Sequence, residues 1–382
     1  MKSLPNIVIL ADFDTTKRPR PHRMVQTLKE SANVFVIARQ ASVEQGALCF
    51  SFPAPTDSAS TRTKAQNDYI QSLCTRGEFA PLIYTKNRTK IPKILYALPK
   101  LNLIIVEDIA LLPFACAYKQ EFGSKIMVDL REFYPLEYEN EQWQKGLGKF
   151  FTHLCAHYLP MADACLCVSE PIAARYMRDF GIKSEVYYSL PPFYALLPTP
   201  IHKPIQIIYH GLISKDRHSE NLLDLAAMLG TDYMLNLMIL SNDTHYLQTF
   251  KNQAKPLSNV QFLPPVELET IIPFCNRFDI GILSLEPNSF NNANAMPNKL
   301  FEYIQSRLCI LSSPIPSISE FLGQFGVGIV AQDFGANALM RALNTLDSAA
   351  IATYKAHSHK HAKTLSLESN TKRLQAIIQN LI

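Results

Sequence analysis

Glycine and long apolar runs are both scarce in this chain. Only 13 of its 382 residues are glycine, and it contains neither a low-complexity tract nor an internal repeat. With 47% hydrophobic and 18% charged residues, the composition is that of an ordinary globular protein. The first apolar run, in MKSLPNIVILADFD, stops at Asp12 and is too short for a signal core or a membrane span. We therefore expect a folded protein that neither spans a membrane nor is exported through a signal peptide.

A strong charge excess and a cysteine motif are also missing. The net charge of +4 favours an anionic ligand or an anionic membrane surface, but it is too small to indicate nucleic-acid binding. The eight cysteines are scattered, mostly in apolar segments such as ACLCV, and no pair has metal-binding spacing. A chain this long without a secretory signal is not expected to be built on disulfides. The predicted location is a reducing cytoplasm, with export as the alternative.

Short β-branched runs alternate with helical patterns along the chain, which is typical of βαβ units and a parallel sheet. The first series of runs is NIVILAD, NVFVIAR, LIIVED, KIMVDLR, ACLCVSE and EVYYSL. A proline-rich break, LPPFYALLPTPIHKP at residues 190–204, precedes a second series of IQIIYHG, LNLMILS, VQFLPP, IGILSL, CILSS and GIVAQ. We predict an α/β protein with two Rossmann-like domains, at residues 1–195 and 205–365. In such tandem architectures the ligand is expected between the two domains.

The segment AMPNKLFEYIQ follows the fourth run of the second series and predicts a helix at the carboxyl end of a parallel strand. Pro297 suits the first helical position, because its missing N–H would be unpaired there anyway. A helix N-terminus favours phosphate, and Lys299 adds a full positive charge. Glu302, on the same exposed face, suits sugar hydroxyls. Alternatively, Lys299 and Glu302 form a solvated ion pair on an ordinary helix.

The longer segment NAMPNKLFEYIQSRLCILSSPIPSISEFLGQFGVGIV resembles the nucleotide-sugar-binding segment of GT-B glycosyltransferases, in particular the large retaining family four. That pattern is Pro-x-Lys-x-x-Glu, a helix, a strand ending in Ser or Thr, a Pro-x-hydrophobic stretch and a Gly-x-Gly strand. The resemblance implies a GT-B fold, two Rossmann-like domains that face each other across a cleft. It places Lys299 at the donor diphosphate and Glu302 at the ribose hydroxyls. It also implies that the amphipathic C-terminal helix, residues 366–382, crosses back to the N-terminal domain.

Two other segments resemble the same family. IIYHGLISKDRHSENLLDLA is similar to the opening strand and turn of the C-terminal domain. The resemblance implies that Gly211 lets the backbone approach the donor and that Arg217 pairs with the diphosphate. MADACLCVSEPIAARYMRDFGI is similar to a strand and helix start in which Ser169 and Glu170 cap the helix or lie near the phosphates.

The segment IIVEDIALLPFACAYKQEFGSKIMVDLREFYPLEYEN resembles the N-domain stretch that borders the acceptor side of the cleft. The match implies roles for Asp129, Arg131 and Glu132. Glu107 and Asp108 are either further cleft residues, with Asp108 on the acceptor side, or polar groups that merely end a strand.

The chain departs from the family pattern in its second glutamate. Many members carry this glutamate eight residues before the ribose-binding one, where this chain has Asn294. An asparagine can bind hydroxyls at the donor but cannot act as a base. Glu286 substitutes for it only if the loop PNSFNNAN folds back.

Two further departures concern arginines. The family's glycine-rich first loop is replaced by DFDTTKRPRPHR, whose Arg18, Arg20 and Arg23 either approach an anionic donor or acceptor or only solvate a loop. Many members have histidine in place of Arg131, so its role is not transferred directly.

The resemblance implies that an acceptor hydroxyl attacks the anomeric carbon of a nucleoside-diphosphate sugar, with retention of configuration. The start of the helix at Pro297, Lys299 and Arg217 would stabilise the departing phosphate, and Asp129 and Arg131 are the other candidate catalytic residues. We expect no cofactor and no metal, because no His/Asp cluster has ligand spacing.

The acceptor is predicted from the resemblance to be a saccharide or a lipid-linked saccharide, in surface polysaccharide or lipopolysaccharide assembly at the cytoplasmic membrane face. The stripe QWQKGLGKFFTHLCAHY is either a core helix or a peripheral contact with that membrane. The alternatives are a non-catalytic nucleotide-sugar-binding subunit, or another GT-B enzyme such as an epimerase or a phosphorylase.

Overall fold

The structure is a computed structural model that describes residues 4–56 and 61–382. It divides into two compact units. The N-terminal unit runs to Tyr188 and is completed by Asn370–Ile382, and the C-terminal unit is Ser189–Ser369. The proline-rich break therefore belongs to the C-terminal unit. This is because Thr199 donates a hydrogen bond to the Asn276 carbonyl and the His202 backbone N–H donates to Asp279.

The N-terminal unit is an α/β domain with a parallel sheet. Within the described ranges its strands are β1 (Asn6–Ala11), β2 (Asn33–Arg39), β3 (Leu48–Phe52), β4 (Leu103–Val106), β5 (Lys125–Leu130), β6 (Ala164–Cys167) and β7 (Glu185–Val186). Its helices up to Tyr188 are α1 (Pro19–Leu28), α2 (Lys64–Arg76), α3 (Ala80–Ile83), α4 (Lys90–Ala97), α5 (Leu112–Phe122), α6 (Glu141–Lys145), α7 (Leu147–His157) and α8 (Glu170–Phe180).

The strand order of this sheet is β3-β2-β1-β4-β5-β6-β7. Strand β1 pairs with β2 on one side and with β4 on the other, all parallel. The chain therefore leaves β1 toward one edge of the sheet and leaves β4 toward the other. In open α/β sheets this reversal opens a crevice at the carboxyl ends of the strands.

Several helices of the N-terminal unit test the sequence patterns. Helix α5 ends at Gly123, whose φ of 74° is the left-handed conformation that glycine adopts easily. The stripe QWQKGLGKFFTHLCAHY was expected to form one helix. This expectation is wrong, because Gly146 separates α6 from α7. The side chains of Phe150 and Leu154 in α7 are buried, so that helix contributes to the core. Ser169 occupies the N-cap position of α8 but makes no side-chain cap there.

The C-terminal unit repeats the α/β pattern. Its strands in the described part of the chain are β8 (Ile205–Leu212), β9 (Tyr233–Leu240), β10 (Val260–Phe262), β11 (Ile280–Leu283), β12 (Cys309–Ser312) and β13 (Gly328–Val330). The helices are α9 (Asn221–Met228), α10 (Thr244–Ala254), α11 (Ile271–Cys275), α12 (Phe290–Ala293), α13 (Asn298–Gln305), α14 (Pro316–Phe325), α15 (Ala336–Leu343) and α16 (Ser348–Ala362).

The sheet of this unit has the order β10-β9-β8-β11-β12-β13, again all parallel. Each strand corresponds to one run of the second series. Counted from its first strand, the order is that of the first six strands of the N-terminal unit, whose sheet has β7 in addition. The prediction of an α/β fold with two Rossmann-like units is confirmed.

Strands β8 and β11 separate soon after they pair, and helix α13 fills the fork. Their paired residues are Ile280 with Ile207 and Gly281 with Ile208. The Tyr303 ring of α13 lies where a side chain on Gly281 would be, since a Cβ there would be 2.5 Å from the ring. The Tyr303 hydroxyl lies 3.2 Å from the carbonyl oxygen of Ile208 and 3.3 Å from that of Ile282. Tyr303 therefore fixes α13 at the point where the two strands diverge.

The last helix, α17 (Leu367–Gln379), carries the chain into the N-terminal unit. Leu374 and Ile378 are buried in the core that contains Ile7 and Val36 of the first two strands. In the parts of the chain that the structure describes, no helix is long and apolar enough to cross a membrane.

Candidate functional site

Strand β8 and helix α13 bring together residues that are far apart in the sequence. Gly211, near the end of β8, has a φ of 114°, and a Cβ there would lie 3.6 Å from the Cε and Nζ atoms of Lys299. Glycine adopts this backbone conformation without the strain that other residues meet. The Lys299 ammonium also lies 3.5 Å from the centroid of the Tyr209 ring. The lysine is thus held against the carboxyl end of β8.

Arg217 contributes a second positive charge beside Lys299. It ends the short 3-10 turn Lys215–Arg217 that follows β8, and its side chain is exposed. Burial lowers the pKa of Lys299, and the Arg217 charge lowers it further, while Tyr209 and Glu302 act in the opposite direction. Lys299 in the first turn of a helix, with the Arg217 charge acting on it, forms a favourable place for an anion.

The start of α13 differs by one residue from the prediction. Pro297 is the N-cap, with an extended ψ of 147°, and Asn298 is the first helical residue. The prediction that Pro297 occupies the first helical position is therefore wrong. Because proline has no side-chain acceptor, it gives the N–H groups of the first turn no side-chain cap.

Glu302 is buried rather than exposed, at 4% exposure. The expectation of an exposed face is wrong for this residue, and so is the alternative of a solvated surface ion pair. Its Oε2 atom lies 3.5 Å from Nε2 of His210, a buried ring that packs edge-on against Tyr303. The Lys299 side chain of the same helix is only half-buried.

The His210 ring is uncharged in the folded protein. Burial, followed by the nearby Lys299 charge, lowers the pKa of His210 to about 3. Its Nε2 atom has no hydrogen-bond partner among the residues that the structure describes. The sequence analysis missed His210 and Tyr209, although both directly precede Gly211 in the run IQIIYHG.

The loop before α13 contains the short helix α12. Asn294 follows α12, is buried, and donates a side-chain hydrogen bond to the Phe290 carbonyl at 2.8 Å. Glu286 Oε2 lies 2.6 Å from Nδ1 of His218, the residue after Arg217. His218 directly follows Arg217 in the chain, and the substitution of Glu286 for the missing glutamate stays a prediction.

In the N-terminal unit, Asp129 near the end of β5 is fully engaged. Its two carboxylate oxygens accept hydrogen bonds from Nε and Nη2 of Arg20, each at 2.5 Å. Arg20 also donates to the Tyr187 carbonyl, and both members of the ion pair are buried. Arg20 and Arg23 are buried residues of α1, so the alternative that they only solvate a loop is wrong. Because both of its oxygens are occupied, Asp129 is better suited to positioning Arg20 than to touching substrate.

Glu107 lies beside this pair, directly after β4. It is completely buried, and neither carboxyl oxygen has a hydrogen-bond partner within the described ranges. Burial raises its pKa to about 8, with a further contribution from the Asp129 charge. The Glu107 carboxyl is therefore largely protonated at neutral pH.

The remaining predicted residues of the N-terminal unit lie near each other. Arg131, directly after β5, and Arg18, directly before α1, both approach the ring of Phe13. Asp108 accepts a hydrogen bond from the backbone N–H of Ala110 at 2.9 Å. Glu132 is half-buried, and burial raises its pKa.

Within residues 4–56 and 61–382, no group of three or more His, Cys, Asp or Glu side chains is arranged to hold a metal ion.

Comparisons with known proteins address the fold. No protein-family model matches this chain, and no curated protein matches it. Among solved structures, HepE from Anabaena in complex with UDP has a TM-score of 0.72 at 12% identity, covering 98% of this chain and 100% of that chain. Sucrose-phosphate synthase from Thermosynechococcus elongatus has a TM-score of 0.72 at 12% identity, covering 99% of each chain.

A third similar structure is the UDP-forming α,α-trehalose-phosphate synthase from Burkholderia vietnamiensis. Its TM-score is 0.66 at 12% identity, and the match covers 98% of this chain and 100% of that chain. At such identities the likeness shows the fold alone. That fold is GT-B, as the sequence resemblance implied. Membership of the retaining family four stays a prediction.

Proposed function

We propose that this protein is a glycosyltransferase that transfers a sugar from a nucleoside-diphosphate sugar to an acceptor hydroxyl. The observation that carries the proposal is the convergence of Gly211, Arg217 and Lys299 at the end of β8 and the start of α13. The similar folds of HepE in complex with UDP and of the UDP-forming trehalose-phosphate synthase add support. We take UDP as the first nucleotide to test.

The reaction forms a bond between the acceptor oxygen and the anomeric carbon while the bond from that carbon to the diphosphate breaks. The electron pair of the broken bond stays on the phosphate oxygen, where negative charge grows. Lys299, Arg217 and the N-terminus of α13 would stabilise that charge without any movement of protons. The two cations support a metal-independent mechanism.

The proton of the acceptor hydroxyl needs a destination. In the retaining mechanism that we propose, it passes to an oxygen of the departing diphosphate, so no side chain has to act as a base. Glu302 would accept hydrogen bonds from the ribose hydroxyls of the donor. The burial of Glu302, at 4% exposure, supports a fixed position for the carboxylate.

The biological role is proposed on the sequence resemblance alone. It suggests extension of a saccharide or lipid-linked saccharide in surface polysaccharide or lipopolysaccharide assembly, with peripheral contact at the cytoplasmic membrane face.

The donor site is tested by thermal melting of the full chain with UDP, GDP, ADP and CMP, each with and without EDTA. A ligand at 100 times its Kd stabilises the folded state by about 2.7 kcal/mol, which raises the melting temperature. We expect one nucleoside diphosphate to do so, equally with EDTA. No rise with any of the four would contradict the proposal.

A matched pair of lysine variants makes this test specific. Lys299→Ala is expected to weaken binding of that nucleotide about tenfold or more, because it removes a charge-assisted contact with phosphate. Lys255→Ala, at an exposed lysine of the same unit, is the control and should leave the affinity unchanged. Equal affinities of both variants and the unaltered protein would rule out the role of Lys299.

A second candidate function is a non-catalytic subunit that binds the nucleotide sugar. It is favoured by Asn294, an amide tied to the Phe290 carbonyl where many members of family four have a glutamate. Incubation with UDP-glucose in the absence of acceptor separates the two proposals. Slow release of UDP supports the enzyme, whereas nucleotide binding with no release and no transfer to any offered saccharide supports the binding subunit.

A further inference from the structure

Arg217 lies on a short turn, and the backbone of that turn determines where its charge is placed. The turn, residues 214–221, joins β8 to α9, and we call it the Arg217 turn. The Arg217 side chain is exposed, and among the described residues no carboxylate oxygen lies within 4.0 Å of its guanidinium. A ligand binds more tightly to a group that is already held in place than to one that it must first order. What holds the Arg217 turn therefore matters for anion binding.

Buried side chains fix the two ends of the Arg217 turn. At its start, the Ser214 backbone N–H donates to Oγ of Ser219 at 3.2 Å, and that hydroxyl donates to the Ser214 carbonyl at 3.1 Å. At its end, Nδ2 of Asn221 donates to the Phe334 carbonyl at 2.7 Å. Ser219 and Asn221 are both buried. The tip of the turn, with Arg217, lies between these two anchors.

The tip of the turn contains a histidine in the left-handed conformation. His218 has a φ of 46° and a ψ of 47°, which few side chains adopt, although asparagine, aspartate and histidine do so more often than others. Such a backbone persists only where surrounding contacts hold it. The Nδ1 atom of His218 lies 2.6 Å from Oε2 of Glu286. Nδ1 must carry a proton at this distance, because two acceptor atoms so close would repel each other.

Glu286 is a suitable anchor because the chain beside it is fixed. It directly follows Leu285, whose N–H donates to Oγ of Ser313 at 3.0 Å and whose carbonyl accepts from the same hydroxyl at 2.7 Å. Ser313 is fully buried directly after β12. The side chain of Asn288 also donates to Oε2 of Glu286, at 3.1 Å. The carboxylate oxygen that contacts His218 is thus held through the backbone and by a neighbouring amide.

The contact between His218 and Glu286 joins two loops that follow neighbouring strands. The Arg217 turn follows β8, and Glu286 follows β11, which pairs with β8 in the sheet. Both loops begin at the carboxyl ends of the two strands whose fork holds α13, the helix of Lys299. The contact therefore ties the tip of the Arg217 turn to the loop that leaves the second strand of the fork.

We propose that His218 and Glu286 are positioning residues, which hold the Arg217 turn so that the guanidinium of Arg217 is ordered before the donor diphosphate binds. The inference rests on the proposed glycosyltransferase function and concerns its donor site. Neither positioning side chain needs to touch the nucleotide. This role differs from that of Glu286 as a substitute for the missing glutamate, in which the carboxylate would contact the donor directly. The two roles are separated by whether the effect of Glu286 depends on Arg217.

The test is a set of mutant cycles in which the Kd of UDP for the full chain is measured by isothermal titration calorimetry. Glu286→Ala removes the acceptor, and His218→Gly removes the ring but keeps a residue that adopts the left-handed backbone. His218→Asn is the conservative variant, because asparagine tolerates this backbone and carries an amide nitrogen on Cγ, as histidine carries Nδ1. Each change is made alone and together with Arg217→Gln. Glu320→Ala, at an exposed glutamate of the same unit, is the matched control.

We expect Glu286→Ala and His218→Gly each to raise the Kd of UDP about three- to fivefold, the upper part of the range for an exposed ion pair. The combination of both changes should lose no more than either alone, since both remove the same contact. In the Arg217→Gln protein, which is expected to bind UDP about tenfold more weakly, neither change should have a further effect. His218→Asn should recover most of the affinity, and Glu320→Ala should not alter it.

Amide hydrogen exchange of the nucleotide-free protein gives a readout that does not depend on UDP. The backbone N–H of His218 donates to the Lys215 carbonyl at 2.9 Å within the turn. This N–H should exchange faster in Glu286→Ala than in the unaltered protein, because the tip is no longer tied. Exchange in β8 and β9 should stay the same.

Four outcomes would overturn the proposal. Unchanged UDP affinity in both single variants, while the unaltered protein binds UDP, would do so and leave the donor function standing. An equally large loss in the Arg217→Gln protein would show that Glu286 or His218 contacts the donor directly. Faster exchange throughout the C-terminal unit would reduce the effect to general destabilisation. If the unaltered protein binds no UDP, the donor function fails and this inference fails with it.

Discussion

Two buried titratable side chains are held in their uncharged forms, and their contributions to folding stability change with pH in opposite directions. His210 in β8 is deprotonated because its burial excludes the cation, and Glu107 after β4 is protonated because its burial excludes the anion. Each such shift links folding to proton binding. The acid side of the stability curve should therefore reflect His210, and the alkaline side Glu107.

For His210, the folded-state pKa of about 3 lies below the ordinary value of 6.5. Between these values the unfolded chain binds a proton that the folded chain does not, so stability falls as the pH drops. We predict that His210→Gln reduces the loss of unfolding free energy between pH 7 and pH 4, measured by urea unfolding. His245→Gln, at an exposed histidine of the same unit, is the control. Equal losses in both variants would contradict the prediction.

For Glu107, the folded-state pKa of about 8 lies above the ordinary value of 4.5. Here the folded chain keeps a proton that the unfolded chain releases, so this contribution is complete below pH 4.5 and is lost as the pH rises through 8. We predict that Glu107→Gln is more stable than the unaltered protein at pH 8, and that the gain disappears at pH 4.5. Melting temperatures across this range measure it. Glu30→Gln, at an exposed site, should show no such trend.

Sequence patterns nominated some single residues of the candidate site and missed others. Lys299, Gly211 and Arg217 were nominated because their types recur at characteristic places in a known segment, and the structure brings them together. The pairing of Arg20 with Asp129 was beyond sequence reasoning, since it joins residues 109 positions apart. The burial of Glu302 was not predicted, because Glu302 lies on helix α13 whereas its neighbour His210 lies on strand β8.

Helix α13 depends on the absence of a side chain at Gly281. A methyl group there would lie 2.5 Å from the Tyr303 ring, which fills the fork between β8 and β11. We predict that Gly281→Ala costs about 1–3 kcal/mol of stability through overpacking. The same change should weaken nucleotide binding, because α13 carries Lys299.

The control for this prediction is Gly230→Ala, since nothing lies within 4 Å of a Cβ at Gly230. Urea unfolding gives the stability change, and thermal melting with UDP gives the affinity. Unchanged UDP affinity in Gly281→Ala would show that the fork does not set the position of Lys299.

Elements with a strong pattern were predictable, and the remaining ones were not. The runs of β-branched residues correspond to strands in both units, because parallel strands buried on both faces are continuously apolar. Strand β3 was missed, since LCFSF is short and only partly buried. The break between α6 and α7 was not predicted, because Gly146 was taken as one more position of a helical stripe.

At the scale of the whole chain, α17 completes a core to which the first strands also belong. Leu374 is fully buried in the cluster that contains residues of β1 and β2. We predict that Leu374→Ala destabilises this unit by about 2–5 kcal/mol. Amide hydrogen exchange should speed up more in β1 and β2 than in β8 and β9. Lys372→Ala, at an exposed position of the same helix, should leave all four strands unaffected, and an equal change in both variants would contradict the prediction.

The repeated series of strands predicted two units, but it did not predict the residue at which the C-terminal unit begins. Proline content indicated a break at residues 190–204, and hydrogen bonds of Thr199 and His202 attach that stretch to the C-terminal unit. Which unit a proline-rich segment joins depends on partners about 80 residues away, and composition carries no information about them.

Because α17 closes the N-terminal unit, the order of synthesis and the order of folding differ. The C-terminal unit is one continuous stretch of chain, Ser189–Ser369, whereas the unit that is translated first lacks Asn370–Ile382 until that later segment has been synthesised. During synthesis, the whole C-terminal unit is present before the N-terminal unit receives its last helix, α17. The N-terminal unit, although it is translated first, is therefore expected to complete its fold last.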